Sequence, residues 1–251
     1  NYMNKIEYIT DWIKDYAEQG SIKTLIVGIS GGVDSAVVST LCARTGLPTV
    51  AVSMPIRQLA EQNGLSMRHG RWLQDRFKNV MWEYHDLTNT FDQFCINMAA
   101  GKGFKDGQNA LALANSRSRL RMTALYFLAG KHNGIVVGTG NKVEDFGVGF
   151  YTKYGDGGVD ISPIADCMKT DVWNMARKLD ILQEIIDAPP TDGLWDDGRK
   201  DQDQLNGLTY SEIEQIMLGH ITDQDKIEAY NEFNLKNKHK MQPIPVCILP
   251  K

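Results

Sequence analysis

The chain has 251 residues, with 27 Lys and Arg against 31 Asp and Glu, for a formal net charge of −4. With 42% hydrophobic and 23% charged residues it is neither disordered nor fibrous, and its length allows one sizeable core. No apolar run approaches the roughly 20 residues of a membrane span, and the mild acidity disfavours a nucleic-acid binder, whose phosphate contacts need a basic face. In chain order, Ile6, Ile9, Ile13 and Tyr16 recur at helical spacing and predict an amphipathic helix closed by Gly20. Thr24 to Ile29 is a short β-branched run of the kind buried on both faces of a sheet. Ser30-Gly31-Gly32-Val33-Asp34-Ser35 follows at once, then a helical stretch to Arg44. Further strands are expected at 48–54, 79–85 and 135–138, and helices at 59–77 and from about 109 to 131. Alternating strands and helices imply βαβ crossovers: an α/β fold with a mostly parallel, doubly wound sheet and helices on both faces.

The last third carries helical patterns at 170–179 and 210–218 around a Pro-, Asp- and Gly-rich loop at 188–207, and a second glycine-rich loop lies at 101–107. Such long loops are usually functional or mobile. The carboxylates from Asp192 to Asp203 read as a solvated, mobile stretch, with a closing lid over a nucleotide as the sharper alternative. No repeat or linker divides the chain, so 1–251 reads as a single domain. Cys42, Cys95, Cys167 and Cys247 are scattered without a CxxC pair, which predicts reduced thiols, a cytoplasmic location and no structural metal.

The loop after the first strand carries the chemistry. Glycines let the backbone approach an anion, and the amides opening the next helix point at it with the positive end of the helix dipole. Ser30 and Ser35 add hydroxyl donors. Asp34 would repel phosphate unless a cation intervened, which implies Mg²⁺. The Gly-Lys-Ser/Thr ending of the kinase-type phosphate loop is missing, and the G-x-G-x-x-G dinucleotide fingerprint does not match.

Ser30 to Ser35 resembles the pyrophosphate loop of the ATP pyrophosphatases with an adenine-nucleotide α-hydrolase-like, Rossmann-like fold, which split ATP into AMP and pyrophosphate. A second block chooses among them: Gly138-Thr139-Gly-Asn-Lys-Val-Glu144-Asp145, then Thr152-Lys153-Tyr-Gly-Asp156-Gly-Gly-Val-Asp160, Met168-Lys169-Thr170, Asn115-Ser-Arg-Ser-Arg119-Leu-Arg121, and Pro190-Thr191-Asp192. Together, from about Leu25 to His239, these closely resemble the NAD synthetases. The resemblance implies ATP contacts at Ser30, Gly31, Gly32, Val33, Asp34, Ser35, Thr139, Lys169 and Thr191. It implies deamido-NAD contacts at Arg119, Lys153, Asp160, His239 and Lys240, and Mg²⁺ held by Asp34 and Glu144. It also implies a homodimer. Two features depart from the family: the stretch after Glu144 is one residue longer, and Met241 stands where arginine often follows the His-Lys pair.

On this reading the nicotinate carboxylate of deamido-NAD attacks the α-phosphate of ATP, pyrophosphate leaves, and ammonia converts the NAD-adenylate to NAD and AMP. Lys169 is the expected phosphate-stabilising catalytic group and Asp156 the candidate proton acceptor from ammonia. Arg117, four residues from Arg121, reads as part of a solvated basic face. A chain filled by the resemblance leaves no space for a glutaminase domain, so free ammonia is the expected nitrogen source. The rivals are a tRNA thiolase, which wants placed cysteines and a basic RNA surface, and a nucleotide sensor without catalysis. Asp34, Glu144 and Lys169 together argue against the sensor.

Overall fold

In the computed structural model, which describes residues 2–99, 109–195 and 200–249, four parallel strands form one sheet in the order β3-β2-β1-β4. They are β1 (Thr24–Gly28), β2 (Thr49–Ser53), β3 (Val80–Tyr84) and β4 (Gly134–Val136). Leu25 pairs with Thr49 on one side and Ile135 on the other. Between the strands run α2 (Val33–Arg44), α3 (Ala60–Arg76), α4 (Thr88–Met98) and α5 (Ala110–Lys131), with α1 (Tyr2–Gln19) ahead of them.

Side chains alternate across the strands. Leu25 and Val27 join α1, α2 and α6 (Lys169–Lys178) in the largest core, where Ile6, Ile13, Val37, Leu41, Val172 and Met175 are buried. Ile26, Val50 and Val52 face the other way and pack with Leu128 and Ala129 of α5. The sheet is thus covered on both faces, as the unbroken apolar runs predicted. A third cluster unites Val143, Val148, Leu205, Leu208 and Ile213 beneath α9 (Tyr210–Met217) and α10 (Gln224–Asn237).

Predicted and observed elements differ in instructive places. β4 is shorter than expected because the chain leaves the sheet at Val137, which bridges to Ile161. α4 has only Phe91 among its buried residues and α10 only Asn237; neither helix was anticipated. In α5, Ala114 and Ser118 are buried, whereas Leu111 is 63% exposed. Beyond α7 (Gln183–Asp187), a short α8 (Asp201–Gln204) forms within 188–207, and the Asp201 amide donates to the Pro190 carbonyl at 3.1 Å. The predicted 101–107 loop lies outside the described residues.

This order sets the place of the site. From β1 the chain winds outward through β2 to β3, then returns to place β4 on the other side of β1. The crevice beyond the carboxyl ends of β1 and β4 is the topological switch point, where open α/β sheets bind ligands.

Candidate active site

β1 delivers the chain into the Ser30–Ser35 loop and α2. The Ser35 hydroxyl accepts from the Ser30 amide at 3.0 Å and donates to the Gly32 carbonyl at 3.1 Å, while the Gly32 amide donates to Ser30 Oγ at 3.2 Å. Gly31 has φ +90°, and a Cβ there would lie 2.7 Å from the Gln62 carbonyl of α3. Only glycine satisfies both the angle and the approach. Gly32 occupies the N-cap with no side-chain cap bond, leaving the opening amides of a 12-residue helix for an anion.

Charged groups converge beside this loop. Lys169 opens α6 with its side chain 3% exposed; its ammonium bonds closely to Asp34 Oδ2 and lies 3.4 Å from Glu144 Oε1. The fully buried Asn141 joins the two carboxylates. Its Nδ2 donates to Asp34 Oδ1 at 3.0 Å, and its Oδ1 accepts from the amides of Val143 and Glu144 at 3.0 and 3.2 Å. The residues that follow, Val143–Val148, form a π-helical turn closed by left-handed Gly149. This turn lies in the stretch after Glu144 that the sequence reading expects to be one residue longer than the family's, and the Asn141 contacts hold the Glu144 backbone beside Asp34.

Behind Glu144 stands Tyr210, at the first position of α9. Its hydroxyl lies 2.8 Å from both Glu144 Oε1 and Asp201 Oδ2, and its ring faces the Lys169 ammonium at 4.6 Å. Three carboxylates thus surround one ammonium. Burial pushes Glu144 up to about 8 and Asp201 up to about 6. Burial alone would lower Lys169, but Asp34 and Glu144 outweigh it and keep the ammonium charged.

The expected ATP residues do come together. Ser30 to Ser35, Thr139, Glu144, Asp156, Lys169 and Thr191 all line one cavity of about 460 Å³. A second cavity of about 340 Å³ adjoins it, sharing Gly140, Asp145, Tyr151 and Asp156, and reaches Lys153 and Lys240. Asp156 opens onto both cavities. Its Oδ1 accepts from the Thr152 amide at 2.7 Å and Ser118 Oγ at 3.0 Å, and burial raises its carboxyl despite these bonds.

Other expected substrate residues are placed differently. Arg119 is exposed and donates to the Lys153 carbonyl at 3.1 Å. Asp160 is engaged by the Val136 amide at 2.7 Å and the Tyr126 hydroxyl at 3.0 Å. His239 is exposed and lines neither cavity, whereas Lys240 clamps the carbonyls of Gly149 and Tyr151 at 2.9 and 2.7 Å.

Two sequence readings are corrected. Arg117 is not on a solvated face: it is 4% exposed, packs its guanidinium over Phe91 at 4.7 Å and donates to the Leu194 carbonyl at 2.9 Å. Nor are all the described carboxylates of 192–203 solvated, although Asp203 is exposed. Asp201 is buried against Tyr210, and Asp192 accepts from the Leu194 amide and Gln204 Nε2 at 3.1 Å each. Asn141 and Tyr210 were missed altogether. Asn141 lies inside the Gly138–Asp145 motif, but Tyr210 gives no signal beyond the capping box that opens α9.

A parallel sheet with a phosphate-ready loop at its switch point, beside a buried lysine and paired carboxylates, defines an α/β nucleotide-dependent enzyme. The comparisons with known proteins narrow the class. The NAD synthase family model matches residues 5–244. The NH(3)-dependent NAD(+) synthetase of Carboxydothermus hydrogenoformans is 33% identical over 242 residues, 96% of this chain and 95% of that protein. Among solved structures, NMN synthetase from Francisella tularensis superposes with a TM-score of 0.87 at 29% identity, covering 100% of this chain and 98% of that one. NAD+ synthetase from Burkholderia pseudomallei gives 0.78 at 27% identity, covering 96% and 90%. The chain belongs to the NAD synthase family, amide-forming ligases that catalyse the ATP-dependent amidation of deamido-NAD to NAD.

Proposed function

We propose that this chain makes NAD from deamido-NAD, ATP and free ammonia through an NAD-adenylate. The observation that carries this reading is the junction of the two cavities. The phosphate-ready loop and Lys169 face the larger one, Lys153 lines the smaller, and Asp156 stands where they meet.

ATP lies in the larger cavity with its phosphates on the opening amides of α2 and the hydroxyls of Ser30 and Ser35. Thr139 and Thr191 flank it. The donor set suits a hard divalent cation: Asp34 and Glu144 offer carboxylate oxygens, and the two carboxylates exceed the one ammonium that now bridges them. Mg²⁺ is commonly held by one or two carboxylates plus substrate phosphates, and when bound here it would neutralise charge on those phosphates. Asp34 and Glu144 are the residues that would hold it.

Deamido-NAD enters from the smaller cavity, with Lys153 and Lys240 supplying positive charge. Its nicotinate carboxylate attacks the α-phosphate, forming a C–O–P bond as pyrophosphate leaves. Lys169 stabilises the charge that develops on phosphate. Ammonia then attacks the activated carbonyl carbon, AMP departs with the carboxylate oxygen, and Asp156 takes the surplus proton. No side chain forms a covalent bond, so rate comes from positioning and electrostatics. Of the deamido-NAD contacts implied by resemblance, Arg119, Asp160 and His239 line neither cavity and are proposed on the resemblance alone.

The exposed Ile96 and Met98 of α4 and Leu111 and Phe127 of α5 are large apolar side chains of the kind a paired surface covers. They support a homodimer, which solution mass tests. The reduced-thiol composition supports a cytoplasmic enzyme. No helix among the described residues is long and apolar enough to cross a membrane.

A second reading, amidation of nicotinate mononucleotide to NMN, has one observation in its favour: the NMN synthetase superposes better than the Burkholderia NAD+ synthetase, with a TM-score of 0.87 against 0.78. Amide formation with deamido-NAD and with nicotinate mononucleotide, each supplied with ammonium or glutamine, tests both readings. The first expects deamido-NAD with ammonium to give the highest kcat/KM. A higher value for the mononucleotide establishes the second.

A further inference from the structure

Glu144 has few partners for its charge. Its Oε1 lies 3.4 Å from Lys169 Nζ, a long contact, and 2.8 Å from the Tyr210 hydroxyl, which is therefore its tightest side-chain bond. Lys169 meanwhile sits against Asp34 and over the face of the Tyr210 ring. One side chain, carried by α9, thus touches two members of the Asp34–Glu144–Lys169 group. Its backbone is fixed independently of them. Thr209 caps α9 by accepting from the Glu212 amide at 3.2 Å, and Glu214 one turn on accepts from the Thr170 amide and hydroxyl at 2.8 and 2.9 Å, docking α9 onto the start of α6 beside Lys169.

We infer that Tyr210 is a positioning residue for the amidation reaction, its hydroxyl holding the Glu144 carboxylate in the orientation that faces Asp34 and Lys169. The phenol has one proton and two carboxylate neighbours, Glu144 and Asp201, each at 2.8 Å. A phenol donates only one hydrogen bond at a time. Donation to Glu144 orders that carboxylate, while Asp201, on the segment bordering the larger cavity, faces the same oxygen from the other side. The proposal rests on the synthetase reading of the site.

A double-mutant cycle tests it, with Tyr210→Phe and Glu144→Gln made singly and together. The unaltered chain is assayed first, and its deamido-NAD-dependent pyrophosphate release decides the synthetase reading separately from Tyr210. Tyr210→Phe keeps the ring and removes the hydroxyl. It is expected to lower kcat by about 10- to 100-fold with KM for ATP changed less than about 3-fold. Made on top of Glu144→Gln, it should cost less than about 3-fold, because the group it orients has already been altered. An equal loss in both backgrounds would mean a merely structural role and would overturn the proposal, as would full activity of Tyr210→Phe. If Tyr210→Phe does not fold, 3,5-difluorotyrosine at position 210 changes the acidity of the hydroxyl while retaining it. A kcat that moves with this acidity supports the proposal, and an unchanged kcat overturns it.

Discussion

Asn141 Nδ2 donates to Asp34 Oδ1 at 3.0 Å, across 107 residues of sequence. The same amide's oxygen accepts from the backbone at Val143 and Glu144. One buried side chain therefore ties the phosphate loop at the end of β1 to the carboxylate-bearing turn after β4, and sets the spacing on which the Asp34–Glu144–Lys169 group depends.

Replacing Asn141 with alanine removes both links and leaves two buried amides without their side-chain acceptor. A loss of about 1–3 kcal/mol in stability is expected for the unsatisfied groups. Pyrophosphate release should fall by about 10- to 100-fold, since misplacing catalytic groups by about 1 Å has effects of that size. Denaturant unfolding and steady-state kinetics on the same preparation check the two numbers together.

Lys169 has two roles that one substitution separates. Lys169→Met keeps the apolar stem and removes the charge, so Asp34, Glu144 and Asp201 lose their common cation. Turnover should fall by at least about 100-fold, the scale seen when one preorganised charge-stabilising donor is lost. Without substrates, the variant should lose more stability at pH 8 than at pH 5, where the carboxyls can take up protons. Thermal melts at the two pH values read this directly.

Glu144 predicts a pH dependence of its own. Its carboxyl is raised from the ordinary 4.5 to about 8, so the folded chain binds this proton more tightly than the unfolded chain does. That contribution is complete below the ordinary carboxylate range and is lost as pH rises towards 8. Asp145, raised to about 7, and Asp201, raised to about 6, act in the same direction. The ligand-free protein should therefore become less stable between pH 5 and pH 8. Glu144→Gln, which mimics the protonated form, should raise Tm by about 3–6 °C at pH 8 and have little effect at pH 5. A Tm gain of the same size at both pH values would contradict this assignment.

How far the sequence could be read depended on the length scale of each signal. Several elements were legible because they advertise themselves locally: β1 and β2 are unbroken apolar runs, and α1 repeats Ile6, Ile9 and Ile13 at helical spacing. The Ser30–Ser35 loop and Lys169 were legible because their chemistry sits in compact motifs. Arg117 was misread because its burial depends on Phe91 and Leu194, which lie 26 residues before it and 77 residues after it. Tyr210 stands 66 residues from Glu144. Only the docking of α9 onto α6 brings them together, and no local pattern reports that. The π-turn over Val143–Val148 was not legible either.

Arg117 offers a direct check of that correction. Arg117→Ala should destabilise the chain by about 2 kcal/mol through lost packing on Phe91 and an unpaired Leu194 carbonyl. Leu194 lines the larger cavity, so KM for ATP should rise by about 3- to 10-fold, with kcat less affected. A solvated residue would give neither change, and a urea titration with ATP-dependent kinetics distinguishes the two cases.

In the proposed mechanism a carboxylate oxygen of the acceptor attacks the α-phosphate in the joined cavities and leaves on AMP. Deamido-NAD labelled with ¹⁸O in its nicotinate carboxylate, turned over with ATP and ammonium, tests this by mass spectrometry of the products. The account predicts one labelled oxygen in each AMP formed and none in pyrophosphate. Unlabelled AMP, or ADP and phosphate in place of AMP and pyrophosphate, would contradict it.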